Sequence, residues 1–228
     1  MLQLLLSYLF PQTIDKVHSK FNGEIKVQLF SGRVSISAGG LMQSGKFLED
    51  TWYKAFKKFE IRNSKFEIPR ILILGLGAGS IVHVLNKTFP NTEIIGIDID
   101  QKIVSLGEKY NDLGKIKNLK IVIDDATKYL TTQKKNREKY SLIFVDLYRG
   151  FAIPPKFQTT SFLTQLDQIL ETRGIIVFNR LKAQMQKDEA KSFLDKVGKI
   201  FQSVVSVTVF ANTLVCARHK TARPLKVT

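Results

Sequence analysis

The stretch Ile71-Leu72-Ile73-Leu74-Gly75-Leu76-Gly77-Ala78-Gly79-Ser80 decides how this chain is read. Its four leading apolar residues have the look of a strand buried on both faces. Three alternating glycines then permit a tight turn and let the backbone approach a ligand that a Cβ would exclude. Ile81 to Phe89 follows with helical spacing. A second apolar run, from Glu93 to Ile97, ends on Asp98, 18 residues beyond Ser80. A carboxylate at the carboxyl edge of a parallel strand can accept both hydroxyls of a ribose. The segment therefore predicts a βαβ unit that binds a nucleotide or nucleoside.

The details narrow the ligand. A dinucleotide fingerprint needs G-x-G-x-x-G, but here the pattern is G-x-G-x-G and position 80 is Ser. A Walker-type phosphate loop needs Gly-Lys-Ser/Thr, and no lysine follows Gly79. Gly75, Gly77 and Gly79 followed by Asp98 form the pattern of class I S-adenosylmethionine (AdoMet)-dependent proteins. Their ligand is a nucleoside with an amino-acid tail and no phosphate, so AdoMet is favoured over NAD.

Outward from this unit, strands and helices alternate. Strands are expected at 70–74, 93–97, 119–123, 141–145 and 174–178, and helices at 80–88, 101–110, 157–171 and 183–200. Such alternation implies a parallel sheet with helices on both faces. Ser203–Phe210 and Thr213–Ala217, split by an Ala211-Asn212 turn, add an antiparallel pair. Upstream, 24–30 and 34–37 alternate with a period of two around Ser31-Gly32-Arg33, which reads as a hairpin. Gly39-Gly40 breaks it, and a helix is expected from about Phe47 to Phe59. The predicted fold is α/β: a seven-stranded, Rossmann-like sheet of the AdoMet-dependent methyltransferase type with a small N-terminal β-hairpin appendage. The expected division is 1–65 for the appendage and linking helix, 66–218 for the AdoMet-binding domain, and 219–228 for a basic tail.

Composition sets bounds. The 228 residues are 44% hydrophobic and 24% charged, ordinary for a soluble globular protein. One cysteine, Cys216, excludes an intrachain disulfide framework and suits a reducing cytoplasm. His18, His83 and His219 are scattered, so no metal-ligand cluster is visible. Met1–Phe10 is apolar but too short to span a bilayer, and is expected to be a packing segment. The net charge of +15 (35 Lys+Arg, 20 Asp+Glu) makes nucleic acid a conceivable partner. Its lysines are spread, however, and no aromatic-interleaved basic strand accompanies them, so a solvated basic surface is the preferred reading.

In a sheet of this kind ligands lie outside the carboxyl ends of the strands, where strand order reverses. Those ends read Gly75–Gly79, Asp98 and Asp100, Asp124-Asp125-Ala126, Asp146, and Asn179. Asp125 could accept the exocyclic amine of adenine, with Ala126 leaving room for the ring. It could equally cap a helix at Thr127–Leu130. The two roles compete for one side chain.

Beyond these ends, Gly40-Leu41-Met42-Gln43-Ser44, Glu49-Asp50-Thr51-Trp52-Tyr53, Ile97-Asp98-Ile99-Asp100, Asp124-Asp125-Ala126 and Val145-Asp146 make the chain resemble the spermidine synthase-like family over most of 24–180. The resemblance implies that Gln43, Asp98 and Asp125 contact the nucleoside and that Tyr53 and Asp146 face the reacting centre. It also implies a homodimer paired through the N-terminal region. Two positions depart from the family. Arg149 stands where the second Asp of an Asp-x-x-Asp loop belongs, and Lys54 where the enzymes carry Gln or His. A like charge ~4 Å from an ammonium costs about 4 kcal/mol at an effective dielectric near 20, which argues against a polyamine acceptor. Arg149 instead suits the carboxylate of intact AdoMet. The expected function is AdoMet-dependent transfer, of methyl rather than aminopropyl, to an unidentified small-molecule or protein acceptor. Aminopropyl transfer from decarboxylated AdoMet, or a non-catalytic scaffold, are the alternatives.

Overall fold

The computed structural model describes residues 2–59, 68–185 and 188–219. Its centre is a seven-stranded sheet in the order β10-β11-β9-β8-β5-β6-β7. β5 (Arg70–Leu74), β6 (Glu93–Asp98), β7 (Leu119–Ile123), β8 (Tyr140–Val145) and β9 (Leu170–Leu181) run parallel. β11 (Asn212–Arg218) is antiparallel to both β9 and β10 (Gln202–Val209).

Strand alternation divides the core. Ile71 and Ile73 of β5, with Leu142 and Phe144 of β8, face one layer; Leu72, Leu74, Ile143 and Val145 face the other. The first layer holds α2 (Lys46–Lys58), α3 (Ser80–Thr88) and α4 (Gln101–Tyr110); the second holds α5 (Ala126–Lys135), α6 (Thr160–Ile169) and α7 (Asp188–Ile200). α2 is seated through Trp52 and Phe56, whose rings lie 5.5 and 5.4 Å from Phe144. Among the described residues no helix is long and apolar enough to cross a membrane.

The appendage is larger than the expected hairpin. β1 (Gln12–Ser19), β2 (Gly23–Phe30), β3 (Arg33–Ala38) and β4 (Leu41–Ser44) form a four-stranded antiparallel sheet, preceded by a one-turn α1 (Leu2–Leu6). β1 escapes a pattern search because a bulge between Thr13 and Asp15 breaks its period of two. Gly39 and Gly40, both at positive φ, form the turn into β4 rather than ending the sheet.

Other expected bounds shift. The helix expected at 157–171 is α6, preceded by a 3-10 turn at Pro155–Gln158, and Leu170 already belongs to β9. The helix expected at 183–200 begins at Asp188, after a 3-10 turn at Lys182–Gln184. The boundary expected at 65/66 and residues 220–228 of the tail lie outside the described residues.

Side chains lock the appendage onto the sheet. Ser19 Oγ and Asn22 Nδ2 (2.6 Å) donate to Asp100 Oδ2, while Asp100 Oδ1 caps α4 by accepting from Lys102 N at 2.9 Å. Asp15 accepts from Lys109 Nζ and Tyr110 Oη, each at 2.8 Å, and these donors hold its carboxyl below the usual range. Asn111 Nδ2 bridges Ser44 Oγ (2.7 Å) and the Ala78 carbonyl (2.9 Å). The β1–β2 turn and β4 are thereby held over the carboxyl edge of the large sheet.

Candidate active site

Chain order reverses between β5 and β8. β5 continues to β6 and β7 on one side, and β8 continues to β9 on the other. A crevice opens at such a switch point. Here a cavity of about 410 Å³ lies along it, within the range of small-molecule sites. Its walls come from the ends of β5 to β9, the β1–β2 turn, β4, the start of α2 and the β10–β11 turn.

At its centre the two innermost strands nearly touch. A Cβ on Gly75 would lie 2.1 Å from the Asp146 carbonyl, and Gly75 adopts a φ of +88°. Gly77, at φ +56°, also lines the cavity, and its N–H donates to Asp98 Oδ2 at 2.7 Å. Gly79 does not line the wall. It starts α3 in the left-handed region, and a Cβ there would lie 2.4 Å from Leu113. Close packing against Leu113 and the positive φ account for a glycine there.

Asp98 accepts from Gly77 N and, through Oδ1, from Asp100 N at 2.9 Å. Burial nevertheless outweighs these amides and raises its pKa. Gln43 stands across from it, its Oε1 3.6 Å from where a Gly77 Cβ would be. Beyond Asp98, Asp124, Asp125 and Ala126 continue the wall.

Asp125 does cap α5: Oδ1 accepts from Thr127 N (2.9 Å) and Lys128 N (3.3 Å). Capping occupies only one oxygen. Oδ2 accepts from Lys156 Nζ at 2.6 Å, also on the cavity wall. The cap and the lysine contact thus fall on different oxygens of one carboxylate. Burial acts to raise this carboxyl, but Lys156 and the cap amides together hold it below the usual range.

At the other end Asp146 follows β8. Asn179 Nδ2 donates to its Oδ1 at 2.8 Å, and Asn212 Nδ2 donates to Asn179 Oδ1 at 2.8 Å. This relay fixes the Asn179 amide so that its NH₂ faces the carboxylate. Burial, with a smaller contribution from Asp98, pushes Asp146 up to about 6, against the Asn179 hydrogen bond. Tyr148 Oη accepts from Leu181 N at 2.8 Å and pins the loop after Asp146 to the end of β9. Arg149 follows on the exposed rim of the cavity, in a loop closed by paired backbone hydrogen bonds with Ala152.

Tyr53 is not part of this wall. α2 turns Trp52, Ala55 and Phe56 inward, which leaves Tyr53 49% exposed on the outer face. The catalytic placement expected for it is therefore not what the structure shows. Lys54 is also exposed, with Nζ 4.1 Å from the ring of Phe210. Of the expected site residues, Gln43, Gly75, Gly77, Asp98, Asp125, Ala126, Asp146 and Arg149 come together on one cavity. Sequence reasoning missed Phe21, Asn22, Lys156, Phe157 and Asn212. Of these, only Asn212 had a local signal, its place in the terminal turn.

Known proteins match this description. A polyamine aminopropyltransferase of Vibrio vulnificus is 28% identical over 133 residues, 58% of this chain and 44% of that protein. A Drosophila melanogaster homolog of the eEF1A lysine and N-terminal methyltransferase is 25% identical over 154 residues, 64% of this chain and 22% of that protein. The chain thus spans less than half the length of either. Among solved structures, a probable spermidine synthase from Corynebacterium glutamicum superposes with a TM-score of 0.72 at 18% identity, covering 91% of this chain and 79% of that one. Human methyltransferase-like protein 13, solved in complex with SAH, gives 0.62 at 19% identity, covering 75% and 80%. At such identities the structural likeness establishes the fold. The spermine/spermidine synthase domain matches residues 61–215, more than half of the chain, and the chain belongs to that family.

Proposed function

We propose that this chain is an AdoMet-dependent methyltransferase whose donor lies along the cavity with its nucleoside toward Asp98 and Asp125 and its sulfonium toward Asp146. The cavity between Gly77 and Gln43, and the paired acceptors of Asp98, fit such a ligand. When bound, AdoMet supplies a methyl group on a positively charged sulfur.

Asp98 would hold the ribose hydroxyls. Asp146 would orient the acceptor and take its proton as the new bond to methyl carbon forms and the carbon–sulfur electron pair returns to sulfur. A carboxyl held at about 6 is mostly ionised at neutral pH and more basic than an ordinary aspartate, which suits that role. Much of the rate enhancement in such a displacement comes from holding the two reactants in line. The Asn212–Asn179–Asp146 relay would provide that order on the protein side.

Arg149 on the cavity rim carries the choice of methyl over aminopropyl transfer. A guanidinium there suits a donor that retains its carboxylate and opposes a polycationic acceptor. Calorimetry with AdoMet and decarboxylated AdoMet, on the native protein and Arg149→Asp, tests this. The double difference is expected to favour AdoMet in the native protein by about 1–3 kcal/mol. A double difference near zero would return the weight to aminopropyl transfer.

The same reading includes a homodimer in a reducing, cytoplasmic setting. Leu4, Leu5, Tyr8, Leu9 and Phe10 expose a cluster of apolar side chains beside the N-terminal sheet, with Leu9 77% accessible. Leu4 and Tyr8 lie beside Gly32, and the outward apolar surface that remains would be covered by a second copy. Cys216 is fully buried, which pushes its thiol up to about 12 and makes it unreactive.

A further inference from the structure

Arg180 places a guanidinium inside the protein, with 4% of the residue exposed. Like Phe178 on the same strand, it faces the layer that contains Phe193 of α7. Its guanidinium carbon lies 4.2 Å from the centroid of the Phe193 ring, and Nη2 donates to Gln158 Oε1 at 2.8 Å. Among the described residues no carboxylate accepts a hydrogen bond from it, and Nε has no partner. Burial disfavours its charged form, against weaker support from Tyr148 and Glu189. A charge buried in this way is a poor source of stability, and an apolar residue of similar volume often serves a core as well or better.

What the charge does hold is the loop between β8 and α6. Gln158 closes the last part of that loop. Its Nε2 donates to the Ile153 carbonyl at 3.2 Å, and its own carbonyl accepts from Lys196 Nζ at 3.3 Å. A guanidinium can only donate, so Arg180 takes the oxygen of the Gln158 amide and leaves the NH₂ for Ile153. The segment closed in this way presents Pro154, Lys156 and Phe157 to the cavity. The neighbours of Arg180 hold the start of the same loop: Asn179 Nδ2 donates to Asp146 Oδ1, and Leu181 N donates to Tyr148 Oη. Three consecutive residues at the end of β9 thus grip the loop at both ends.

We propose that Arg180 is a positioning residue: acting through Gln158 from behind the cavity, it sets the 153–158 segment where that segment forms the ligand-facing wall. This rests on the proposed AdoMet-type ligand and adds to it a residue that touches no ligand. The contribution of the guanidinium is to binding, through the order of the loop, and not to the stability of the sheet. A loop released from Arg180 would occupy its binding-competent position for a smaller fraction of the time, and apparent affinity falls by that fraction.

Arg180→Met tests this, since it keeps the apolar contact with Phe193 and removes the donors. The whole chain is compared with the variant by urea unfolding, by trypsin cleavage of the folded protein after Arg149 or Lys156, and by calorimetric titration with S-adenosylhomocysteine. The variant is expected to unfold at an equal or higher urea concentration. Cleavage in the loop is expected to be about ten-fold faster and affinity about ten-fold weaker, as the competent population falls. Gln158→Leu is expected to reproduce the cleavage and the affinity, and the double variant to lose nothing more, because both changes break one connection. Arg180→Lys, which keeps a donor, is expected to recover part of the loss. An Arg180→Met protein that fails to fold, or unfolds more easily with cleavage and affinity unchanged, would overturn the proposal, since the guanidinium would then serve the core. A Gln158→Leu protein with native cleavage and affinity would overturn it as well, as would additive losses in the double variant. Failure of the native protein to bind S-adenosylhomocysteine would overturn the nucleoside reading instead, and the trypsin comparison would still decide whether Arg180 holds the loop.

Discussion

Replacing Asp146 by Asn should stabilise the protein while abolishing its proposed chemistry. The native carboxyl titrates near 6 instead of 3.8, chiefly because burial disfavours its charge. At about 1.4 kcal/mol per tenfold change in proton affinity, this corresponds to about 3 kcal/mol. The sign follows from linkage. A pKa raised by folding means that the native state binds protons more tightly, so the full benefit is present below about pH 4 and is lost as pH rises through about 6. Asn has no charge to bury, and its carbonyl can accept the Asn179 hydrogen bond in place of Oδ1. The advantage of Asp146→Asn should therefore grow from about 1.5 kcal/mol at pH 5 to about 3 kcal/mol at pH 8. Urea unfolding of both proteins at the two pH values would measure it. Equal midpoints at pH 8 would refute the reasoning, since the carboxylate would then be adequately solvated or compensated in the native state. Transfer by the native protein, once an acceptor is in hand, should rise with pH through about 6 as the base ionises.

Other parts of the site and frame are open to equally direct tests. Asp98→Ala should weaken S-adenosylhomocysteine binding by about 1.5–3 kcal/mol; unchanged affinity by calorimetry would remove the ribose assignment. Gly75→Ala should cost about 2–4 kcal/mol of stability, because it combines a positive φ with a Cβ against the Asp146 carbonyl; denaturant unfolding would show it. Phe56→Ala removes a ring packed against both Trp52 and Phe144, and about 3–5 kcal/mol is expected from the same assay. Leu5→Glu with Leu9→Glu should shift the sedimentation of a dimer toward the monomer. A native protein already monomeric at micromolar concentration would end the homodimer proposal.

Much of the fold is legible because its signals are local. β5, α3, β6, α4 and β7 come from contiguous runs whose apolar period or glycine turn needs no knowledge of the rest of the chain. β1 is not legible for the same reason: its bulge moves the alternation out of phase, and Ile14 and Val17 read as scattered apolar residues. The site divides in a similar way. Carboxylates at strand ends are visible once the strands are, since the parallel sheet brings those ends to one edge. Tyr53 looked functional by resemblance, but helical phase gives the inner face of α2 to Trp52 and Phe56.

Asp125 and Lys156 show where local reading stops. From sequence, an aspartate ahead of a helix is a cap or a ligand group, and choosing between them requires treating the side chain as one object. Its two oxygens point different ways, and only the second meets a lysine 31 residues further on. No periodicity links those positions, because the connection is made by a loop that leaves β8 and crosses toward the end of β7. Asp146 is similar: its identity is evident at a strand end, but its proton affinity is set by its burial and, in smaller measure, by Asn179 and Asp98 on other strands. The sheet places such groups in common reach, and long-range contacts then decide which oxygen, which proton and which hydrogen bond each contributes. Substitutions in the loops at 147–158 and 210–211 should therefore alter ligand choice while leaving the sheet intact, as both loops attach to the ends of strands rather than interrupting them.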